Sequence, residues 1–253
     1  MIKLPYPLST LSRLMVNSEL CVNCLALASR ASICEDCYND LPWIGDACYQ
    51  CGLPLPYEAD HCGECLSAPP SFSHSEIPLL YTYPANRMLH RYKYHRRLAY
   101  GRALLQPLLA VLRTHLSVFP GHRPDLLIPC PMHRSRERQR GFNHADDLAE
   151  RLSVELTIPW SNRALRRIRA TEAQVGLDRR RRTKNLRSAF EVCSALPARI
   201  ALVDDVMTTG ATARALSSLL LEHGAEDVQI WAIARTPSQT GTLASTLNEV
   251  IDF

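Results

Sequence analysis

The sequence predicts an α/β fold, a parallel sheet flanked by helices, with a small cysteine-rich module at its N-terminus. Three observations carry this. Eight cysteines in the first quarter form four identical pairs, each with two residues between its members. Through the second half, strand-like runs alternate with helix-like ones, which implies parallel strands joined by helical crossovers. The apolar run at 200–203 stops at two adjacent carboxylates, Asp204 and Asp205, just before a new helix. In parallel sheets, ligands sit beyond such carboxyl ends of strands.

The chain has 253 residues, 46% of them hydrophobic and 21% charged, which allows one large domain or two smaller ones. No apolar run approaches the roughly 20 residues that span a bilayer. The first twenty residues hold no continuous signal-peptide core. The expectation is a cytoplasmic chain with no membrane insertion. The net charge of +4 hides an asymmetry. Residues 1–70 carry Lys3, Arg13 and Arg30 against eight acids, whereas 131–187 hold fifteen Lys and Arg against seven Asp and Glu. An acidic head on a basic body points to an anionic ligand for the body.

The cysteine pairs are Cys21/Cys24, Cys34/Cys37, Cys48/Cys51 and Cys62/Cys65, separated by nine, ten and ten residues. Two thiolates on one knuckle converge on a tetrahedral ion, so four pairs make two closed, structural four-cysteine sites. Zn²⁺ is the expected ion, because a chain without an export signal is not expected to hold disulfides. Sequential pairing is the natural grouping, and interleaved pairing stays open. Gly52 and Gly63 directly follow Cys51 and Cys62, where a knuckle needs a permissive backbone. His61 reads as a bystander, since Cys62 and Cys65 already complete a set. Cys130 and Cys193 stand apart and read as small buried apolar residues.

Ala68-Pro69-Pro70-Ser71 marks the exit from this module. The expected domains are a double zinc-ribbon module at 1–70, an α/β domain at 71–239 and a tail at 240–253. Residues 76–82 predict a strand and 86–94 a helix. Residues 101–118 predict a buried amphipathic helix with Pro107 at a kink. Strands are expected at 125–130 and 164–169. The helix at 144–156 carries Asp146 and Asp147 in its first turns, which suits its dipole. Residues 170–188 are strongly basic without periodicity and predict a loop. The strand at 200–203, the helix at 211–222 and a strand at 228–234 complete the pattern.

Residues 200–212 read Ile-Ala-Leu-Val-Asp-Asp-Val-Met-Thr-Thr-Gly-Ala-Thr. A helix N-terminus directs unpaired N–H groups and a positive dipole end at an anion. Gly210 permits close backbone approach, and Thr208, Thr209 and Thr212 add hydroxyl donors. The carboxylates would repel a bare phosphate but suit sugar hydroxyls, so the fitting ligand is a phosphorylated ribose. A plainer account makes Thr208 or Thr209 a helix N-cap after an acidic turn. The motif resembles the phosphoribosyl-pyrophosphate (PRPP) site of type I phosphoribosyltransferases. Upstream, Arg134, Arg136, Arg138 and Arg140 alternate before Gly141-Phe142-Asn143, and arginine forks suit diphosphate oxygens.

The four cysteine pairs, Lys93-Tyr94, Arg140-Gly141-Phe142-Asn143, the set Thr171, Gln174, Leu177, Arg182 and Asn185, and residues 203–210 together resemble the ComF family of competence proteins. The resemblance runs from about Cys21 to Thr236. It implies a type I phosphoribosyltransferase-like fold behind a zinc ribbon, PRPP as ligand, and a part in DNA uptake. It also implies roles. Asp204 and Asp205, the catalytic candidates, would hold the ribose hydroxyls partly through Mg²⁺. Thr208, Thr209, Gly210, Ala211 and Thr212 would cradle the 5-phosphate, with Val206 and Met207 in the same motif. Pro131 would approach the diphosphate, and Arg140, Asn143, Gln174, Arg182 and Asn185 are further substrate-binding candidates. No segment reads as a nucleobase pocket. Two functions follow: phosphoribosyl transfer to an unknown acceptor, or PRPP sensing without turnover, with single-stranded DNA or competence proteins as partners. The zinc module is the expected contact for protein partners.

Overall fold

The computed structural model describes residues 20–95, 97–133, 137–138, 141–169 and 188–237. Its centre is a parallel sheet. β1 (Ser75–Glu76) and β2 (Leu79–Leu80) lie in tandem along one side of β7 (Asp227–Arg235), followed by β6 (Arg199–Met207) and β3 (Leu126–Pro129). The long pair β6–β7 runs in register from Arg199↔Asp227 to Met207↔Arg235. Both strands are apolar on both faces, as a strand buried between two helical layers must be.

The expected strand at 76–82 is thus two short strands. Pro78 lacks the N–H that a continuous ladder needs, so the chain breaks there and resumes at Leu79. This edge is covered rather than open. Trp43 forms an antiparallel bridge to Leu79, and Leu80 N–H donates to the Pro42 carbonyl. The cysteine-rich module therefore caps the outer strand and removes a free sheet edge.

Helices fill both faces. α3 (Ala85–His95), α4 (Leu98–Val118) and α5 (His144–Leu156) cover one face, and α6 (Ala211–Glu222) the other; α1 (Glu35–Asn39) and α2 (Gly63–Ser67) belong to the cysteine-rich module. α5 buries Ala145, Leu148, Ala149, Leu152 and Leu156, the i, i+3, i+4, i+7 stripe of an amphipathic helix. Its N-cap is Asn143, whose Oδ1 accepts from Ala145 N–H at 3.3 Å. α4 stays helical through the buried Pro107. Gly101 lets it press onto Tyr92, since a Cβ there would meet the ring at 2.6 Å.

The strand expected at 164–169 is β4 (Leu165–Arg167), but it is antiparallel and lies off the main sheet. Its partner is β5 (Phe190–Val192), with Arg166 opposite Glu191. The basic loop lies mostly outside the described residues, as does the tail beyond 237. Cys193 is exposed, which corrects its reading as an interior residue, whereas Cys130 is partly buried and packs against the core. Among the described residues no helix is long and apolar enough to cross a membrane.

Candidate metal centres and anion site

The cysteine pairs group sequentially. The Sγ atoms of Cys21, Cys24, Cys34 and Cys37 lie within 4.8 Å of one another, and so do those of Cys48, Cys51, Cys62 and Cys65. Cys24 and Cys34 sulfurs are 3.5 Å apart, Cys51 and Cys62 sulfurs 3.6 Å. A tetrahedral zinc with bonds of about 2.3 Å holds its sulfurs roughly 3.8 Å apart, so both sets fit the ion closely. Without a cation, the thiols of one set do not all ionise together: Cys48 is lowered, because backbone N–H groups outweigh its burial, while Cys51 and Cys65 are raised. Burial pushes Cys51 up to about 11, and Cys48 and Cys62 add to it. A divalent ion removes that penalty.

Local backbone builds each knuckle. Gly52 N–H donates to the Cys48 carbonyl at φ 63°, and Leu25 N–H donates to the Cys21 carbonyl at φ 64°. The first ribbon thus uses a leucine where the second uses glycine. A Cβ on Gly52 would also meet Ile77 Cδ1 at 2.9 Å, so glycine there serves the close approach of the body. Gly63 does not play the expected part; it opens α2, and Cys62 Sγ caps that helix by accepting from Cys65 N–H.

The two sites lie on different faces of the sheet. Cys21 and Cys34 join the core formed with α3, α4 and α5, whereas the second four join the core formed with α6. The module thus wraps the edge. Tyr100 Oη donates to the Val22 carbonyl at 3.0 Å on one side, and Arg214 pairs with Glu64 at 3.0 Å on the other.

At the carboxyl end of β6, Asp204 and Asp205 are still part of the strand, which runs on to Met207. Strand alternation therefore directs them to opposite faces. Asp205 continues the face of Ala201 and Val203 and meets Lys93 of α3 at 2.8 Å. Burial opposes the Lys93 charge, but Asp205 outweighs it and raises its pKa. Asp204 continues the face of Ile200 and Leu202, where Cys130 follows β3. Burial first, and Asp205 second, push the Asp204 carboxyl up to about 7. Val206 is partly buried and Met207 buried within the motif.

Beyond Met207 the chain turns. Thr208 and Thr209 are exposed, and Gly210 at φ 71° caps α6 without a side-chain bond. Thr209 Oγ1 accepts from Ala211 N–H at 3.4 Å, while Ala211 and Thr212 begin the helix and are half-exposed. Exposed hydroxyls thus lie beside the N-terminus of α6, an arrangement able to hold an anion.

Arg235, the last residue of β7, was not singled out in the sequence. It is 6% exposed, and its Nη1 donates to the carbonyls of Met207 (3.2 Å), Thr208 and Thr236 (3.1 Å). Its Nε donates to the Cys51 carbonyl at 3.1 Å. One guanidinium thus ties the turn to the second metal site. A charged residue ending an apolar strand was the available signal.

Pro131 is half-buried just past β3. Asn143 turns inward: its Nδ2 donates to Asp146 Oδ1 at 2.5 Å and to the Cys130 carbonyl at 3.4 Å, so it ties α5 to the end of β3. Arg134, Arg136, Arg140, Thr171, Gln174, Leu177, Arg182 and Asn185 lie outside the described residues. A neighbouring cleft of about 520 Å³ is lined by Glu137, Asp146, Asp147 and Glu150 beside Leu98 and Phe142. Its described walls are acidic, which does not suit a diphosphate.

Two four-thiolate ribbons wrapped on the edge of a parallel α/β sheet define the class, a zinc-ribbon α/β protein. Residues 14–66 match the double zinc ribbon domain. The chain belongs to the ComF family. It is 36% identical over 225 residues to the DNA utilization protein YhgH of Salmonella typhimurium, covering 86% of this chain and 96% of that one. The same-named protein of Escherichia coli K12 is 35% identical over 205 residues, 81% and 90% of the two chains. Competence protein F of Haemophilus influenzae is 34% identical over 224 residues, 85% and 96%.

Proposed function

We propose that this chain binds PRPP at the carboxyl end of β6 and acts in the handling of DNA. The observation that carries the ligand is the sequence of parts along one strand: a carboxylate pair, a turn of exposed threonines, a glycine at positive φ and a helix N-terminus. Asp204 and Asp205 take the ribose hydroxyls, partly through Mg²⁺, which favours carboxylate oxygens. Lys93 already engages Asp205 Oδ2, so ligand or ion meets the other oxygen or displaces the amine. The turn from Thr208 to Thr212 takes the 5-phosphate. When bound, Mg²⁺ supplies charge against the diphosphate. Arg140, Gln174, Arg182 and Asn185 complete the substrate contacts in this reading.

The DNA part rests on the relatives' names, DNA utilization protein and competence protein. The basic excess at 131–187 favours a second reading, in which PRPP is sensed rather than consumed and single-stranded DNA is held by phosphate contacts. A phosphorus NMR time course with PRPP, Mg²⁺ and a panel of bases and amines separates the two. Diphosphate release that is lost in Asp204→Asn marks a transferase. Shifted PRPP signals without release mark a sensor. Unshifted signals throughout end the PRPP reading. Gly210→Ala, strained at φ 71°, is expected to weaken the shift at least tenfold in PRPP concentration.

A further inference from the structure

A third group of metal-ligating side chains lies away from both cysteine sites. His74 immediately precedes β1, His115 is in the last turn of α4, and His122 ends the 3₁₀ turn Pro120–His122. One ring nitrogen from each lies within 4.8 Å of the others. The ring centroids form a near-equilateral triangle, with sides of 4.9, 5.0 and 5.1 Å. By register Ser75, the residue after His74, pairs with Ile230 in the first half of β7, whereas Asp204 and Asp205 stand towards the far end of its neighbour β6.

The hydrogen bonds around these rings are those that orient metal ligands. A ligating histidine commonly bonds its second ring nitrogen to a carboxylate or another polar group. Glu76 Oε1 lies 2.8 Å from His115 Nδ1, which leaves His115 Nε2 facing His122 Nδ1 at 3.0 Å. Ser73 Oγ lies 3.0 Å from His74 Nδ1, which leaves His74 Nε2 as its coordinating atom.

That atom is the second observation. His74 is 2% exposed, and its Nε2 has no hydrogen-bond partner. Gln229 lies close by, its Nε2 donating to the His122 carbonyl and its Oε1 accepting from Trp231. Buried polar atoms are otherwise almost always paired, so an orphaned imidazole nitrogen facing two more imidazoles indicates a missing partner.

We propose that His74, His115 and His122 bind a third divalent metal ion, a zinc with three imidazole ligands and an open fourth position, oriented by Glu76 and Ser73. Tetrahedral Zn–N bonds of about 2.0–2.1 Å place ligand nitrogens roughly 3.3 Å apart, close to the His115–His122 separation. Three imidazoles and a nearby carboxylate select a first-row ion such as Zn²⁺ or Co²⁺ over Mg²⁺. The half-buried His122 leaves a path for entry. The ion joins the segment leaving the zinc ribbons to the end of α4, and so clips the module to the body. It is independent of PRPP binding.

The test counts metal in the full chain. After incubation with zinc chloride and desalting, elemental analysis is expected to find three zinc ions per wild-type chain, two from the cysteine sets and one from the histidines. His122→Gln, on an accessible turn, and His115→Asn are each expected to hold two. Cobalt loading reads the same site independently: the cysteine sites give thiolate charge-transfer bands, and the third ion adds d–d absorption without them. Retained thiolate bands in the variants show that the ribbons are intact. Two ions in the wild type would make the cluster a stack of neutral imidazoles and overturn the proposal. Three ions in both variants would overturn it equally.

Discussion

Lys93 Nζ lies 2.8 Å from Asp205 Oδ2, and the two side chains are only 15% and 12% exposed. The pair links α3 to the carboxyl end of β6, at the candidate anion site. Removing one partner of such a pair strands the other charge in a poorly solvated place. Lys93→Ala is expected to lower unfolding stability by about 3 kcal/mol, measured by urea denaturation. Lys93→Met with Asp205→Asn should recover most of that loss. A single variant as stable as the wild type would show that the pair is solvated in solution.

Asp204 carries the opposite electrostatic signature. Its folded carboxyl is raised from an ordinary 3.8 to about 7, by burial first and Asp205 second. The folded state therefore holds a proton that the unfolded chain releases between those values. Stability from this group is full below about pH 4 and is lost as pH rises towards 7. Asp204→Asn removes this dependence. Its stability relative to the wild type is expected to improve from pH 4 to pH 7, by an amount on the order of a few kcal/mol. A constant difference across that range would rule out a raised carboxyl.

Arg235 joins the candidate phosphate turn to the second ribbon through the Thr208 and Cys51 carbonyls. Lysine keeps the charge but cannot reproduce a fork with several fixed donors. Arg235→Lys is expected to cost about 2 kcal/mol, from carbonyls left without donors. PRPP binding by titration calorimetry should weaken with it. Unchanged affinity in a folded variant would remove Arg235 from the support of the turn.

Zinc in the second ribbon holds a module that shares the core with Phe72, Ile77 and Leu216. Cys62→Ser is expected to lose one zinc per chain and about half of the cobalt thiolate absorption. It should also lower the thermal midpoint by several degrees, as loss of a structural ion does. Unchanged zinc content would place the ion elsewhere.

Local physics explains which parts of the fold were legible. α5 and α6 match the expected ranges 144–156 and 211–222 to the residue, because an apolar stripe and a capping residue are local signals. β4 and β5 have three residues each, too few for periodicity to identify their antiparallel pairing. Lys93 belonged to a quoted motif, but its partner lies 112 positions away and only packing names it. Arg235 and the histidines at 74, 115 and 122 share no spacing at all.

The sequence by itself determined the ion chemistry of the ribbons, the alternation that makes a parallel sheet, and the strand–turn–helix order of the anion motif. Each is written in neighbouring residues, through knuckle spacing, hydrophobic period and caps. Tertiary structure decided the rest: sequential grouping of the cysteines, ribbons on both sides of one sheet edge, Lys93 against Asp205, and three imidazoles around one point. Those are meetings of residues far apart in the chain. They are decided when two apolar faces of one sheet are buried together, and no local pattern encodes where that burial brings distant side chains into contact.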